Sequence, residues 1–264
     1  MPELPEAEAV VRRLRESVPG LRIRSVQAQR CATPAVARLA PGRRIESVER
    51  RAKQILLPLS GGHTLHVHLR MTGNLFLIPD WRLHTTRARC VFELEGGAGL
   101  VFEDPRALGR VDLVPTGHLK ARLDRALGPE PLGAGFTPAL FREMARASRQ
   151  PAKLFLMDQR RLAGLGNIYA AEALHAARID PRKPLARLRP SRLDALHAAI
   201  VRVLNDAVES AWNAYSGPGV WTEGETFDCQ VYGREGLPCP ACGKAIRRIP
   251  QGGRSTYFCA NCQR

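Results

Sequence analysis

The chain has 264 residues, 44% of them apolar, with 40 Lys and Arg against 25 Asp and Glu and a formal net charge of +15 at pH 7. That is ample apolar material for ordinary cores, and its positive field attracts a polyanion while resisting neutral or cationic partners. Every apolar run is interrupted by Arg, His or Gly, which excludes a membrane span, and the start MPELPEAE does not read as a secretory signal. Cytoplasmic residence is the default. Charge points to nucleic acid without choosing between DNA and RNA.

In chain order, residues 5–18 place Val10, Val11, Leu14 and Val18 on one helical face beneath Arg12, Arg13 and Arg15, and Pro19-Gly20 stops the helix. Six segments of strand character follow: LRIRSVQAQR, RRIESVERR, ILLPL, HTLHVHLRM, ARCVFELE and AGLVFED. Gly61-Gly62 and Gly96-Gly97 supply hairpin turns between them. A leading helix and many strands predict a first domain, residues 1–117, built as a two-layer β-sandwich.

From about residue 120 the pattern becomes helical, with helices expected at 121–127, 138–148, 152–161, 167–177 and 190–213, broken by GPEPLGAG, AGLG and DPRKP. This is a helical domain, residues 118–222. A helix starting at Asn167 directly after Gly164-Leu165-Gly166 offers its N-terminal amides to a phosphate, whereas a plain helical hairpin with a glycine turn has the same local sequence. Residues 214–230 read as a loop or linker.

The last domain, 223–264, carries Cys239-x2-Cys242 and, after sixteen residues, Cys259-x2-Cys262. Two such knuckles surround one tetrahedral Zn2+, and four thiolates leave no open position, so the ion is structural. Cys31, Cys90 and Cys229 stand outside the set and read as ordinary thiols. Between the knuckles, Gln251-Gly252-Gly253 joins two short strands into a zinc-ribbon hairpin, with Arg254 beside the glycines as its best contact residue. At the other end, Pro2 presents a secondary amine once Met1 is removed. The reference pKa of a terminal amine, about 8, leaves it able to attack an electrophilic sugar carbon, with Glu3 and Glu6 nearby to carry protons.

Six motifs, in order, carry a resemblance over nearly the whole chain: MPELPEAEAVVRRL, HLRMTG at 68–73, EDPRALGR at 103–110, DQRRLAGLGNIYAAEAL at 158–174, VYGREGLPCPACG at 231–243 and GGRSTYFCANCQ at 252–263. They resemble the bacterial formamidopyrimidine-DNA glycosylase family, which removes oxidised bases and nicks the resulting abasic site. The resemblance implies that Pro2 is the nucleophile, Glu3 an acid/base residue, Glu6 a second carboxylate that arranges the site, and Lys53 a catalytic strand lysine. It implies that Asn167, in a helix-two-turn-helix, and Arg254 bind phosphate. It further implies that Met71 and Arg106 fill the gap left by a flipped nucleotide and that Lys153 lies near the lesion-side backbone. The implied partner is damaged double-stranded DNA, met by a monomer at the bacterial nucleoid.

Some residues depart from the family pattern. DPRALGR replaces the usual DPRRFGR, which puts aliphatic Leu108 where an aromatic wedge is expected. Ala52 replaces the Gly of RRGK. The segment WNAYSGPGVWTEGETFDCQ replaces the usual lesion-capping loop, so capping contacts to 8-oxoguanine do not transfer. The start PELPE favours this branch over the endonuclease VIII branch, which begins PEGPE and prefers oxidised pyrimidines. Formamidopyrimidines are the favoured lesion class. A non-catalytic damage-binding protein would keep the basic face, Asn167, Arg254 and the zinc, but would not need Pro2, Glu3 and Lys53 together.

Overall fold

Helix α1 (Leu4–Arg15) starts where Pro5 fits the first turn, whose amides need no intrahelical acceptor, and ends among Arg12, Arg13 and Arg15, which complement the carbonyl end of its dipole. Its Val10, Val11 and Leu14 are buried, as the sequence periodicity predicts. The structure, a computed structural model, describes residues 2–29, 31–83, 87–214 and 227–264. Expectations for most of the 214–230 segment lie outside the described residues. The chain divides into two compact units, Met1–Arg125 with Val208–Thr226, and Ala126–Ala207 with Phe227–Arg264.

In the first unit α1 leads into β1 (Ile23–Ala28), a short α2 (Pro34–Leu39), β2 (Glu49–Arg51), β3 (Gln54–Leu59), β4 (His63–His68), β5 (Asn74–Ile78), β6 (Ala88–Leu94), β7 (Gly99–Glu103), β8 (Arg110–Pro115) and α3 (Thr116–Ala126). These strands form two four-stranded antiparallel sheets, ordered β1-β6-β7-β5 and β2-β3-β4-β8. Both contribute to one core: Ile55, Leu57, Leu65, Val67 and Val111 from one sheet join Phe76, Phe92, Leu100 and Phe102 from the other. Each buried Phe adds up to about 3 kcal/mol. The expected sandwich is therefore present, with eight strands among the described residues where the sequence suggested six. The two missed are β5, buried on both faces, and β8. RRIESVERR supplies only the three residues of β2.

In the second unit α4 (Pro138–Arg146) is capped by Thr137, whose hydroxyl accepts from the Leu140 amide at 3.2 Å. α5 (Ala152–Met157) stops earlier than the 152–161 expected, and α6 (Asn167–Ala176) begins at Asn167 as expected. α7 (Pro190–Ala214) closes the helical set. Its residues from Val208 count with the first unit, where Ala211 is in the core, Arg12 Nη1 lies 2.7 Å from Glu209 Oε1 and the Arg13 guanidinium lies 4.1 Å over the Trp212 ring. β9 (Arg247–Gln251) and β10 (Arg254–Phe258) pair in register, with Arg254 opposite Gln251. The turn is therefore Gly252-Gly253 alone; both residues have positive φ, the type I′ pattern that glycine adopts without strain.

Candidate active site

Pro2 is buried, and the residue after it is held at its backbone. The Glu3 amide donates to Glu6 Oε2 at 2.7 Å, one half of a capping box at the start of α1. Glu3 is 0% exposed and Glu6 is buried. Glu6 thus arranges the chain start by a hydrogen bond to the backbone, while the Glu3 carboxylate sits one residue from the proline nitrogen. α1 packs against β2, β3 and β5. Glu8 on α1 also accepts from Arg50 Nε at 2.6 Å, fastening the helix to the strand that leads to Lys53.

Lys53, expected on a strand, is instead second in the two-residue turn between β2 and β3, where Arg51 pairs with Gln54. Ala52, first in the turn, has φ 55° and is buried, a left-handed φ that suits glycine. The Ala52 departure therefore carries a backbone cost of about 1 kcal/mol. Across the sheet, Gln54 pairs with His68, a residue that sequence reasoning passed over. Burial first, then the neighbouring Arg70, His66, Lys53 and Arg110, push the His68 imidazole down to about 4. Its Nδ1 accepts from the Arg70 amide at 3.1 Å, so the neutral ring carries its proton on Nε2, a donor in Lys53's surroundings. The alternating HTLHVH that made β4 legible also put His66 and His68 on one face, which was the available signal. His66 contacts Gln54 through Nε2, and burial followed by the Arg122 charge pushes it to about 4, against the opposing pull of Asp112.

Met71, Arg106 and Leu108 lie on two loops that a single side chain joins. Asp104 accepts the Thr72 hydroxyl on Oδ1 and the Gly109 amide on Oδ2 at 2.6 Å. The Thr72 oxygen in turn accepts from the Arg106 amide at 3.4 Å. Arg89 adds a second brace, donating to the carbonyls of Asp104 and Pro105 at 2.8 and 3.2 Å. Above these anchors Arg106 is exposed and Leu108 is 44% exposed. Ala107 between them has φ 51°, so the loop carries local strain.

In the second unit the turn before α6 is folded around Gln159. Its Oε1 accepts the Gly164 amide at 2.9 Å and its Nε2 donates to the Leu165 carbonyl at 2.7 Å. Asn167 follows at the helix start, 8% exposed, and its Oδ1 has no hydrogen-bond partner within the described residues. The backbone amides at a helix N-terminus are suited to a phosphate oxygen, whereas the unpartnered Oδ1 is itself an acceptor and calls for a donor. Five residues on, buried Glu172 accepts from the amides of Gln230, Val231 and Tyr232 at 2.8–3.0 Å, which anchors the stretch of chain entering the hairpin module. Arg254, first residue of β10, is exposed. Lys153 is 0% exposed, its ammonium turned inward to Ser255 O and Thr256 Oγ1, both at 2.7 Å.

The Sγ atoms of Cys239, Cys242, Cys259 and Cys262 lie within 4.8 Å of one another, with separations of 3.9 Å for Cys239–Cys262 and 3.5 Å for Cys242–Cys259. A tetrahedron with Zn–S bonds of about 2.3 Å has edges of about 3.8 Å, so the donor set fits one structural Zn2+. The knuckles are shaped for it by the Gly243 amide, 2.8 Å from the Cys239 carbonyl, and by Gln263, whose Oε1 accepts from the Cys259 amide at 2.8 Å. His175 on α6 places Nε2 3.6 Å from Cys239 Sγ, a contact to the ligand sulfur that helps orient it.

Three family descriptions match consecutive parts of the chain: the formamidopyrimidine-DNA glycosylase N-terminal domain over residues 1–111, the formamidopyrimidine-DNA glycosylase H2TH domain over 127–216, and the zinc finger found in FPG and IleRS over 236–264. A formamidopyrimidine-DNA glycosylase from Chloroflexus aurantiacus is 43% identical over 274 residues, covering 100% of this chain and 98% of that protein. The crystal structure of MutM (Fpg) from Thermus thermophilus aligns with a TM-score of 0.85 at 41% identity, covering 99% of this chain and 98% of that one. Lactococcus lactis Fpg, solved non-covalently bound to AP-site DNA, aligns with a TM-score of 0.88 at 32% identity over 99% of both chains. The chain belongs to the formamidopyrimidine-DNA glycosylase family.

Proposed function

We propose that this glycosylase attacks its substrate with the secondary amine of Pro2, freed by removal of Met1. The class of activity comes with the family: a base-excision-repair DNA glycosylase with AP lyase activity. The observation that carries the assignment of Pro2 is the buried Glu3 carboxylate directly beside it, on a backbone locked by Glu6. The amine nitrogen bonds to C1′ of the damaged nucleotide, and the glycosidic bond breaks with its electron pair leaving on the base, which takes a proton. Glu3 protonates the sugar ring oxygen as the ring opens and so drives formation of an iminium between Pro2 and C1′. The iminium acidifies C2′–H. Loss of that proton expels the 3′ phosphate, and a second elimination expels the 5′ phosphate. Lys53 holds a phosphate or sugar oxygen and, as a neighbouring cation, lowers the amine pKa.

A base inside a duplex is out of reach, so the nucleotide is flipped, and Met71, Arg106 and Leu108 refill the stack. Leu108 fills volume but stacks less well than an aromatic ring. Asn167 and Arg254 grip phosphates. The four cysteines hold Zn2+, which supplies the cross-link that a hairpin of this size lacks as a core. Damaged duplex DNA is the partner, and the enzyme acts as a monomer at the chromosome; among the described residues no helix is long and apolar enough to cross a membrane. Formamidopyrimidines are the favoured lesions.

The test is borohydride trapping on matched duplexes carrying an abasic site, a formamidopyrimidine, 8-oxoguanine or an oxidised pyrimidine, with mass mapping of the linked residue. An adduct at Pro2 is expected with the abasic and formamidopyrimidine duplexes. Preference for the oxidised pyrimidine would move the substrate assignment to the endonuclease VIII type. Tight binding with no adduct on any duplex would replace the enzyme reading with damage binding.

A further inference from the structure

A lysine in a basic DNA-binding protein is ordinarily read as a phosphate contact, yet the Lys153 ammonium faces the interior and two of its donors go to the zinc hairpin, to Ser255 O and Thr256 Oγ1. Thr256 is itself fully buried and passes the connection on, its hydroxyl donating to Gln251 Oε1 at 3.1 Å. Gln251 Nε2 donates to the Pro181 carbonyl at 3.1 Å, and that carbonyl also accepts from the Lys153 amide at 3.2 Å. The hydrogen bonds thus form a closed ring through α5, the 181 turn and both hairpin strands.

The same helix also seats the hairpin tip. A Cβ on Gly252 would lie 2.5 Å from Leu154 Cδ2, so the glycine turn rests directly on the neighbouring residue of α5. Arg254 is enclosed between these fixtures: two residues before it the chain is seated on Leu154, and one and two residues after it the chain is bonded to Lys153. The residue itself is exposed to solvent.

We propose that Lys153 is a positioning residue for Arg254, fixing the backbone from which Arg254 reaches a phosphate, and that it makes no phosphate contact of its own. This rests on the reading of Arg254 as a phosphate ligand. A neutral side chain of similar length, Lys153→Met, would leave the Ser255 carbonyl and Thr256 hydroxyl without their buried donor and let the start of β10 move.

The experiment is a double-mutant cycle of Lys153→Met with Arg254→Ala, reading binding of the full chain, with its zinc content verified, to a duplex carrying a tetrahydrofuran abasic analogue over a range of salt concentrations. Arg254→Ala is expected to weaken binding about tenfold or more and to lower the salt slope by about one phosphate, close to 0.9. Lys153→Met is expected to reproduce most of that loss alone and to add less than twofold in the Arg254→Ala background. Additive losses, with the double variant losing the slope of two phosphates, would make Lys153 a direct contact and overturn the proposal while leaving the Arg254 reading intact. An Arg254→Ala variant with unchanged affinity and slope would overturn the Arg254 reading, and the proposal with it. If Lys153→Met fails to fold or bind zinc, Thr256→Val, which removes one acceptor at nearly constant shape, decides by the same cycle. A loss that depends on Arg254 supports the ring, and one that is additive or absent overturns it.

Discussion

Asp104 is the residue on which the two wedge loops depend. Its carboxylate, 0% exposed, takes the Thr72 hydroxyl on one oxygen and the Gly109 amide, at 2.6 Å, on the other. Hydrogen bonds to a charged group contribute about 1.5–3 kcal/mol each, and a buried donor left unmatched costs about as much. Asp104→Ala should therefore lower stability by about 3–5 kcal/mol, a fall of about 10 °C in Tm for a chain of this size. Asp104→Asn keeps one acceptor but turns an NH2 toward one of two donors, and should fall between. The functional consequence is selective. The loops carry Met71, Arg106 and Leu108, which in the proposed mechanism serve to extrude a nucleotide from a paired duplex and not to eliminate phosphate from a sugar already unstacked. Single-turnover cleavage below the variant's unfolding range should drop about 10- to 100-fold on a duplex lesion and less than about threefold on a single-stranded abasic oligonucleotide. An equal loss on both substrates would refute the reasoning, as would full duplex activity with unchanged Tm. Gly109→Ala offers a check, since a Cβ there meets Phe102 Cζ at 2.5 Å and Asp104 Oδ2 at 3.1 Å and should disturb the same loop.

Pro2→Gly should abolish or strongly slow iminium trapping while DNA affinity changes little; turnover equal to the parent's with an unaltered adduct would remove Pro2 from the mechanism. Ala52→Gly relieves a left-handed alanine at φ 55° and should raise stability by about 0.5–1 kcal/mol, less the entropy glycine adds to the unfolded chain, so a lower Tm would show that the turn is not strained. His66 and His68 both have pKa values depressed to about 4. Their stabilising contribution is complete above the ordinary value near 6.5 and is lost as pH falls toward 4, because the unfolded chain takes up protons that the folded one refuses. Each contributes at most about 3 kcal/mol. Urea unfolding between pH 7.5 and 4.5 should show this slope in the parent and a flatter one in His66→Gln, and parallel curves would disprove it. Chelation of zinc should speed hydrogen exchange in β9 and β10 well before the sheets of the first unit; simultaneous loss in both would make the metal a global requirement.

What the sequence made legible followed from whether the signal was local. Two x2-spaced cysteine pairs bring their sulfurs together by knuckle geometry that a few residues determine, and the four-cysteine cluster is there. Strand β3 alternates buried Ile55, Leu57 and Leu59 with Gln54, Leu56 and Pro58, so its period of two is plain, whereas β5 is buried on both faces and NLFLI shows no alternation at all. Helix α6 is buried from Asn167 to Leu174, so only its glycine turn and Asn167 marked its start. The residues whose partners sequence reasoning passed over act across long chain separations. Glu172 binds amides 58 to 60 residues away, and the Lys153 ammonium binds a hairpin 102 and 103 residues away. A surface lysine and a buried one have the same one-letter context when the burying partner is a hundred residues downstream. The motif order predicts which residues approach DNA; how firmly each is held is determined by buried polar side chains such as Asp104, Gln159 and Lys153, whose partners appear only once the chain has folded.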